Sequence, residues 1–248
     1  MDVLEVFAVA MVTALATGLG ALPVGWIGAG RVARFGPLLL GVTAGVMTAA
    51  SIGLLVEPFG DSSYLPVAVG FGLGVLFLVA TQRMLLHREK GQGEAGRHAR
   101  RSLLVFAVLF VHSLPEGFAL GSSWAAGADG LGLFVFIAIT IQNIPEGTAT
   151  AIPMAQAGYS RARQFWAAVG TSLPQPVGAV MAFLLVEQIR ALLPWSLGFA
   201  AGAMLALVAF DLLPEALAER AKRGQVAVGV AMALAVMALT AMLLAAAG

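Results

Sequence analysis

Two hexapeptides concentrate the chemistry of this chain: His112-Ser113-Leu114-Pro115-Glu116-Gly117 and Gln142-Asn143-Ile144-Pro145-Glu146-Gly147. Each lies inside a long apolar run and puts a carboxylate where a charge is expensive. Ionisable side chains in such a place usually mark a substrate or ion path. In each hexapeptide the first polar residue precedes the glutamate by four positions. His112 and Glu116 therefore share one helix face, as do Gln142 and Glu146. Two helices that turn these faces together would make a cage of nitrogen and oxygen donors of the kind a divalent metal accepts.

The prolines and glycines beside the glutamates add to this reading. Pro115 and Pro145 each lack a backbone donor, which frees the carbonyls of Val111 and Ile141 four residues earlier. Breaks of that kind are tolerated at membrane depth where the freed groups line a cavity or bind ions. The glycine after each glutamate permits close backbone approach. A single membrane histidine is often a helix-to-helix hydrogen-bonding residue, and a single buried glutamate is often protonated and bonded to a neighbour. Four such groups at matched spacing, on two successive helices, point instead to a metal site.

The elements that carry these groups follow from composition. Hydrophobic residues make up 60% of the chain and charged ones 11%, where soluble proteins have roughly a quarter charged. No sizeable soluble domain fits, and an all-α integral membrane protein does. Crossing the bilayer core takes roughly 20 apolar residues. Eight such spans are expected, at about 4–28, 37–56, 65–86, 102–124, 131–157, 163–187, 195–217 and 225–247. The runs lack the dyad alternation of a membrane barrel. The whole chain, 1–248, reads as one transmembrane domain.

Charge sets the orientation. Lys and Arg collect on cytoplasmic loops, and thirteen of the fourteen basic residues fall on the odd-numbered loops, with Arg190 the exception. The even loops carry Arg190 beside Glu57, Asp61, Asp129 and Glu187. Both termini are therefore expected outside the cytoplasm. The acidic opening, Met1-Asp2-Val3-Leu4-Glu5, lacks a basic n-region, so no cleaved signal peptide is expected. The polar stretch from about 87 to 101 forms a cytoplasmic loop. Its His87 and His98 could collect metal, although two solvated histidines in a basic loop are the plainer reading.

By this topology spans four and five run antiparallel, and His112, Glu116, Gln142 and Glu146 meet near the bilayer midplane, with broken helices four and five around them. Span six carries Thr171, Ser172, Pro174, Gln175 and Pro176 and reads as another broken helix. Asp211 in span seven is a candidate release-side ligand, while Glu215 fits the interface equally well. Met47 and Met154 are soft donors in principle and apolar filling in the plainer reading. Small residues four apart, as at Gly41 and Gly45 or Gly70 and Gly74, let helices approach in lipid. The chain has no cysteine, which excludes disulfides and thiolate sites, and no phosphate-binding loop.

At HSLPEG in span four and QNIPEG in span five the sequence resembles the ZIP (Zrt-, Irt-like protein) family of divalent metal transporters. Eight spans, the polar loop after span three and outward termini agree with it over essentially the whole chain. The resemblance implies a transporter and not an enzyme, multi-pass in the inner or plasma membrane. Its transported substrate would be a divalent metal ion, zinc first, with no resident cofactor and no nucleic-acid partner. A homodimer is implied by analogy. It also implies movement toward the cytoplasm by alternating access, one helix bundle shifting against another. Carried onto these residues, the first site is His112, Glu116, Gln142 and Glu146. A second site would use Ser113, Asn143, Gln175 and a shared Glu146. Here the chain departs from the pattern, because relatives with a full second site usually have carboxylates where Asn143 and Gln175 stand and an amide at Ser113. Neutral groups do not compensate a doubly charged ion, so one metal site is expected, with the second absent or transiently occupied.

Other functions would draw on the same residues. A proton-coupled carrier of an organic cation or a metal-selective channel would also use buried glutamates. Aromatic lining favours the former, and only Phe118, Phe134 and Phe136 lie close in sequence. Gly170-Thr171-Ser172-Leu173 looks superficially like the motif of an intramembrane serine protease, but no histidine follows it. The donor set alone suits zinc, iron(II), manganese, cobalt and cadmium.

Overall fold

A computed structural model describes residues 2–56, 64–87, 97–128, 130–218 and 220–247, and every regular element among them is helical. The helices are α1 (Val3–Leu19), α2 (Ala21–Ile27), α3 (Ala29–Ala33), α4 (Gly36–Leu55), α5 (Tyr64–His87) and α6 (Arg97–Ala126). They continue with α7 (Leu131–Gln156), α8 (Arg161–Thr171), α9 (Pro174–Gln188), α10 (Leu193–Leu207), α11 (Leu213–Leu217) and α12 (Arg223–Ala247). Eight stretches are long and apolar enough to cross a membrane: Val3–Ile27, Gly36–Leu55, Tyr64–Leu85, Leu103–Ala126, Leu131–Gln156, Arg161–Gln188, Arg190–Leu217 and Arg223–Ala247. These are the eight spans expected from the sequence. The polar stretch 88–96 lies outside the described residues, as do the side chains of His87 and His98.

The acidic N-terminus has a local use. Asp2 accepts from the Glu5 amide and Glu5 accepts from the Asp2 amide, each at 2.8 Å. This capping box satisfies two orphan donors at the start of α1.

Helices four and five of the membrane set differ from the expected breaks. α6 runs through Pro115 and α7 through Pro145 and Pro153 without interruption of the helix. One missing N–H removes one rung, and the packed neighbours hold the rest of the ladder. The interruption falls instead in span six, where Pro174 and Pro176 withdraw two donors within three residues. The chain turns at Ser172 and Leu173 and restarts α9 at Pro174, a first-turn position that proline tolerates. Span seven is irregular as well, with a π-helical turn at Val208–Leu212.

Packing divides the spans into two sets. α1, α6, α7, α8 and α9 pack on one another, and α4, α5, α10 and α12 form the second set, with the α4–α7 and α6–α10 contacts joining them. The α5–α10 pair shows how close these approaches are. Gly70 and Gly74 face the carbonyls of Trp195 and Phe199, while Gly198 and Gly202 face those of Val67 and Phe71. A Cβ at any of the four would overlap a backbone oxygen, so glycine is what allows the two backbones to touch. Gly72 faces open space.

Gly74→Val should therefore destabilise the protein by about 1–3 kcal/mol, with Gly72→Val close to neutral. Thermal unfolding in detergent followed by size-exclusion chromatography checks this. Equal loss in both variants would remove the close-approach explanation.

Candidate metal centre

The polar cluster forms where α6, α7, α9 and α1 meet. Glycine is again the local cause. Gly117, one residue after Glu116, lies against the Gln175 carbonyl, and Gly147, one residue after Glu146, lies against the Thr17 carbonyl. A side chain at either position would push α9 or α1 away from the acid beside it. The Pro-Glu-Gly motifs thus bring a neighbouring backbone onto each glutamate.

The result is a buried, closely bonded cluster. Glu116, Gln142, Asn143 and Gln175 are at most 1% exposed, and Glu146 is 7% exposed. Gln142 Nε2 donates to Glu116 Oε1 at 2.6 Å, and Gln175 Nε2 donates to Glu116 Oε2 at 2.5 Å. The Glu146 carboxyl lies beside that of Glu116, close enough for the two to interact. Asn143 Nδ2 donates to Thr13 O at 2.7 Å and to Gln175 Oε1 at 3.1 Å. Thr13 Oγ1 donates to the same Gln175 oxygen at 2.9 Å.

The expected first site is brought together in part. Glu116, Gln142 and Glu146 converge, but His112 does not join them. Its Nε2 lies 4.0 Å from Asp211 Oδ2, which also accepts from Gln82 Nε2, and its Nδ1 is buried without a partner. His112 also borders a narrow apolar crevice lined by Met47, Leu78, Pro115, Ala203, Met204 and Leu207. Among the described residues no three His, Cys, Asp or Glu side chains converge closely enough to hold an ion. The shared helix face of His112 and Glu116 leaves the imidazole free to point along either side of that face, and here it points to span seven.

Of the second-site residues, Asn143 and Gln175 belong to the cluster and Ser113 does not. Its Oγ donates to the Leu109 carbonyl of its own helix at 3.0 Å. Asp211 sits on the π-helical turn, an irregularity often found at functional sites. The sequence reading missed Thr13, Thr17 and Gln82. Thr13 and Thr17 are fully buried and one turn apart in span one, and that spacing was the available signal. Thr17 Oγ1 pairs with Ser172 Oγ at 2.7 Å, so the serine of the protease-like stretch meets a threonine and not an imidazole.

Comparison with known proteins bears on the same residues. The family model described as ZIP Zinc transporter matches residues 80–245, which include both hexapeptides, Gln175 and Asp211. Zinc transporter ZIPB of Bordetella bronchiseptica is 33% identical over 214 residues, 81% of this chain and 69% of that protein. Zinc transporter GufA of Myxococcus xanthus is 36% identical over 159 residues, 63% of each chain. An Arabidopsis thaliana relative is 36% identical over 227 residues, which are 88% of this chain and 35% of that protein. The chain thus spans about a third of one of these relatives and less than two thirds of another. Eight apolar spans, paired Pro-Glu-Gly motifs around a buried carboxyl pair, and a family match across most of the sequence agree: this chain belongs to the ZIP zinc transporter family.

Proposed function

We propose that the chain carries a divalent transition-metal ion, zinc first, across the inner or plasma membrane toward the cytoplasm. The observation that carries this reading is the Glu116–Glu146 carboxyl pair, buried midway along two membrane-length helices with no cationic side chain among the described residues beside it. Two carboxylates balance one divalent charge, and Gln142 and His112 complete a set of nitrogen and oxygen donors suited to zinc. His112 would swing from its place beside Asp211 to close the site and swing back on release, which gives Asp211 its role on the cytoplasmic path. The two packed sets of helices supply surfaces that can shift against each other around the ion, as alternating access requires. ZIPB and GufA, both named zinc transporters, point to the same cargo.

One ion is the expected load. At the second position the groups are Asn143, Gln175 and Ser113, all neutral, and the two amides already satisfy each other through hydrogen bonds at 3.1 and 3.2 Å. Apart from Glu146, which the first site already uses, nothing there offsets two further positive charges.

Zinc uptake into proteoliposomes under an imposed gradient tests the reading. Saturable uptake by the wild type should fall at least about tenfold in His112→Ala and in Glu146→Ala, with both variants folded by size exclusion. Liposomes containing the wild type that take up no more zinc than empty ones would overturn it. Because both carboxyls must be ionised to hold the ion, displacing any proton they carry, zinc affinity should fall as pH is lowered, by about tenfold per pH unit while one proton is exchanged. Equilibrium dialysis across a pH series reads that slope, and a flat profile contradicts the displacement. Dialysis should also give one zinc per wild-type chain and two for the double variant Asn143→Asp, Gln175→Glu.

A further inference from the structure

Glu116 is held by two glutamine amides that differ in how firmly they are themselves held. The Gln175 amide is saturated. Its Nε2 donates to Glu116 Oε2 at 2.5 Å and to Asn143 Oδ1 at 3.2 Å. Its Oε1 accepts from Thr13 Oγ1 at 2.9 Å and from Asn143 Nδ2 at 3.1 Å. Turning this amide over would set its carbonyl against the Glu116 carboxyl and its N–H against that of Asn143, which the Thr13 carbonyl holds in place at 2.7 Å. Its orientation is therefore locked from spans one and five.

Gln142 is different. It is fully buried, its Nε2 donates to Glu116 Oε1 at 2.6 Å, and its Oε1 has no partner. A buried carbonyl oxygen without a donor is rare and calls for an explanation. A half-turn about the terminal torsion exchanges the amide N and O, and that torsion is broad and roughly two-fold. In an ion-free cluster the N–H must face the carboxyl; with a cation at Glu116 Oε1 the same N–H would be repelled and the free carbonyl attracted.

We propose that Gln142 is the ion-responsive ligand of this cluster and Gln175 its fixed positioning residue. The Gln142 amide turns over as the cation arrives, withdrawing its N–H from Glu116 Oε1 and presenting its own Oε1 to the ion. Gln175 keeps Glu116 Oε2 throughout. This rests on the metal-carrying reading above and adds how the donor set assembles. It follows that Glu116 offers the ion one oxygen and not two. A carboxylate limited to one oxygen suits a small cation of low coordination number and penalises calcium, which takes six to eight oxygens and often both of a carboxylate.

The test is the zinc-minus-apo infrared difference spectrum of the purified full chain with ¹³C-labelled glutamine, with bound zinc measured in parallel by dialysis. The variants are Gln142→Met, Gln142→Asn and Gln175→Met. In the wild type zinc should shift one glutamine carbonyl band. That shift should vanish in Gln142→Met, with zinc held at least about tenfold more weakly. Gln142→Asn, which keeps an amide but shortens its reach, gives the same result and serves if the first variant does not fold. In Gln175→Met the shift should persist while the carboxylate bands move toward two-oxygen coordination. Zinc bound to the wild type with no glutamine carbonyl shift would overturn the proposal and leave the ion site standing. So would a shift kept in Gln142→Met and lost in Gln175→Met. A wild-type chain that binds no zinc by dialysis overturns the site and this inference together.

Discussion

Removing two carboxyl groups from water in the middle of an apolar protein is the constraint on which the rest of this structure depends. An uncompensated carboxylate in such a place is prohibitively costly. Glu116 meets this by accepting from two amides, with Glu146 beside it, and the elements around the pair contribute to that arrangement. α6 and α7 supply the pair, α9 begins where it can offer Gln175, and α1 brings Thr13 across to hold Gln175 in turn. Among the described residues no lysine or arginine takes part. A permanent cation would satisfy the acids more strongly and would also leave nothing for a metal ion to do.

The same economy explains why packing and chemistry cannot be separated at this point. Gly117 and Gly147 are packing residues by every local measure, since each meets a backbone atom of a neighbouring helix. Gly117 also sets how near α9, and with it Gln175, comes to Glu116. Helix approach through small residues is general in membranes; here it has been placed one residue beyond each acid. The Ser172–Leu173 interruption belongs to the same scheme, because it lets α9 start at the depth where its first turn reaches Glu116.

Much of this was legible beforehand, and the exceptions have physical causes. The eight spans follow from hydropathy alone, and the Glu116, Gln142 and Glu146 convergence follows from helical spacing on two successive apolar runs. Thr13 and Thr17 escaped because a threonine in a membrane helix usually bonds its own backbone, as Thr48, Thr140 and Thr240 do and as Thr13 does at the Ala10 carbonyl in addition to its contact with Gln175. Only the partner helix shows that Thr13 and Thr17 reach outward. Proline was overread at Pro115 and Pro145, where neighbours hold the helix, and correctly read at Pro174 and Pro176, where two lost donors exceed what one turn can absorb. The direction of His112 lay beyond sequence altogether, since i to i+4 spacing fixes a face and leaves the side-chain torsion free.

The π-helical turn of span seven carries a consequence of its own. Such a turn is an α-helix with one residue too many, and the surplus rotates everything beyond it by about 100°. From Val208 to Leu212 the chain absorbs that extra residue, and Asp211 stands within it. Span seven therefore carries two facings on one rod: the stretch before the turn is registered against α5, and the segment holding Pro214 and Glu215 is registered independently of it. A chain one residue shorter here would be a more regular helix with its lower half facing the wrong way, so the length of span seven is as much a functional parameter as its composition.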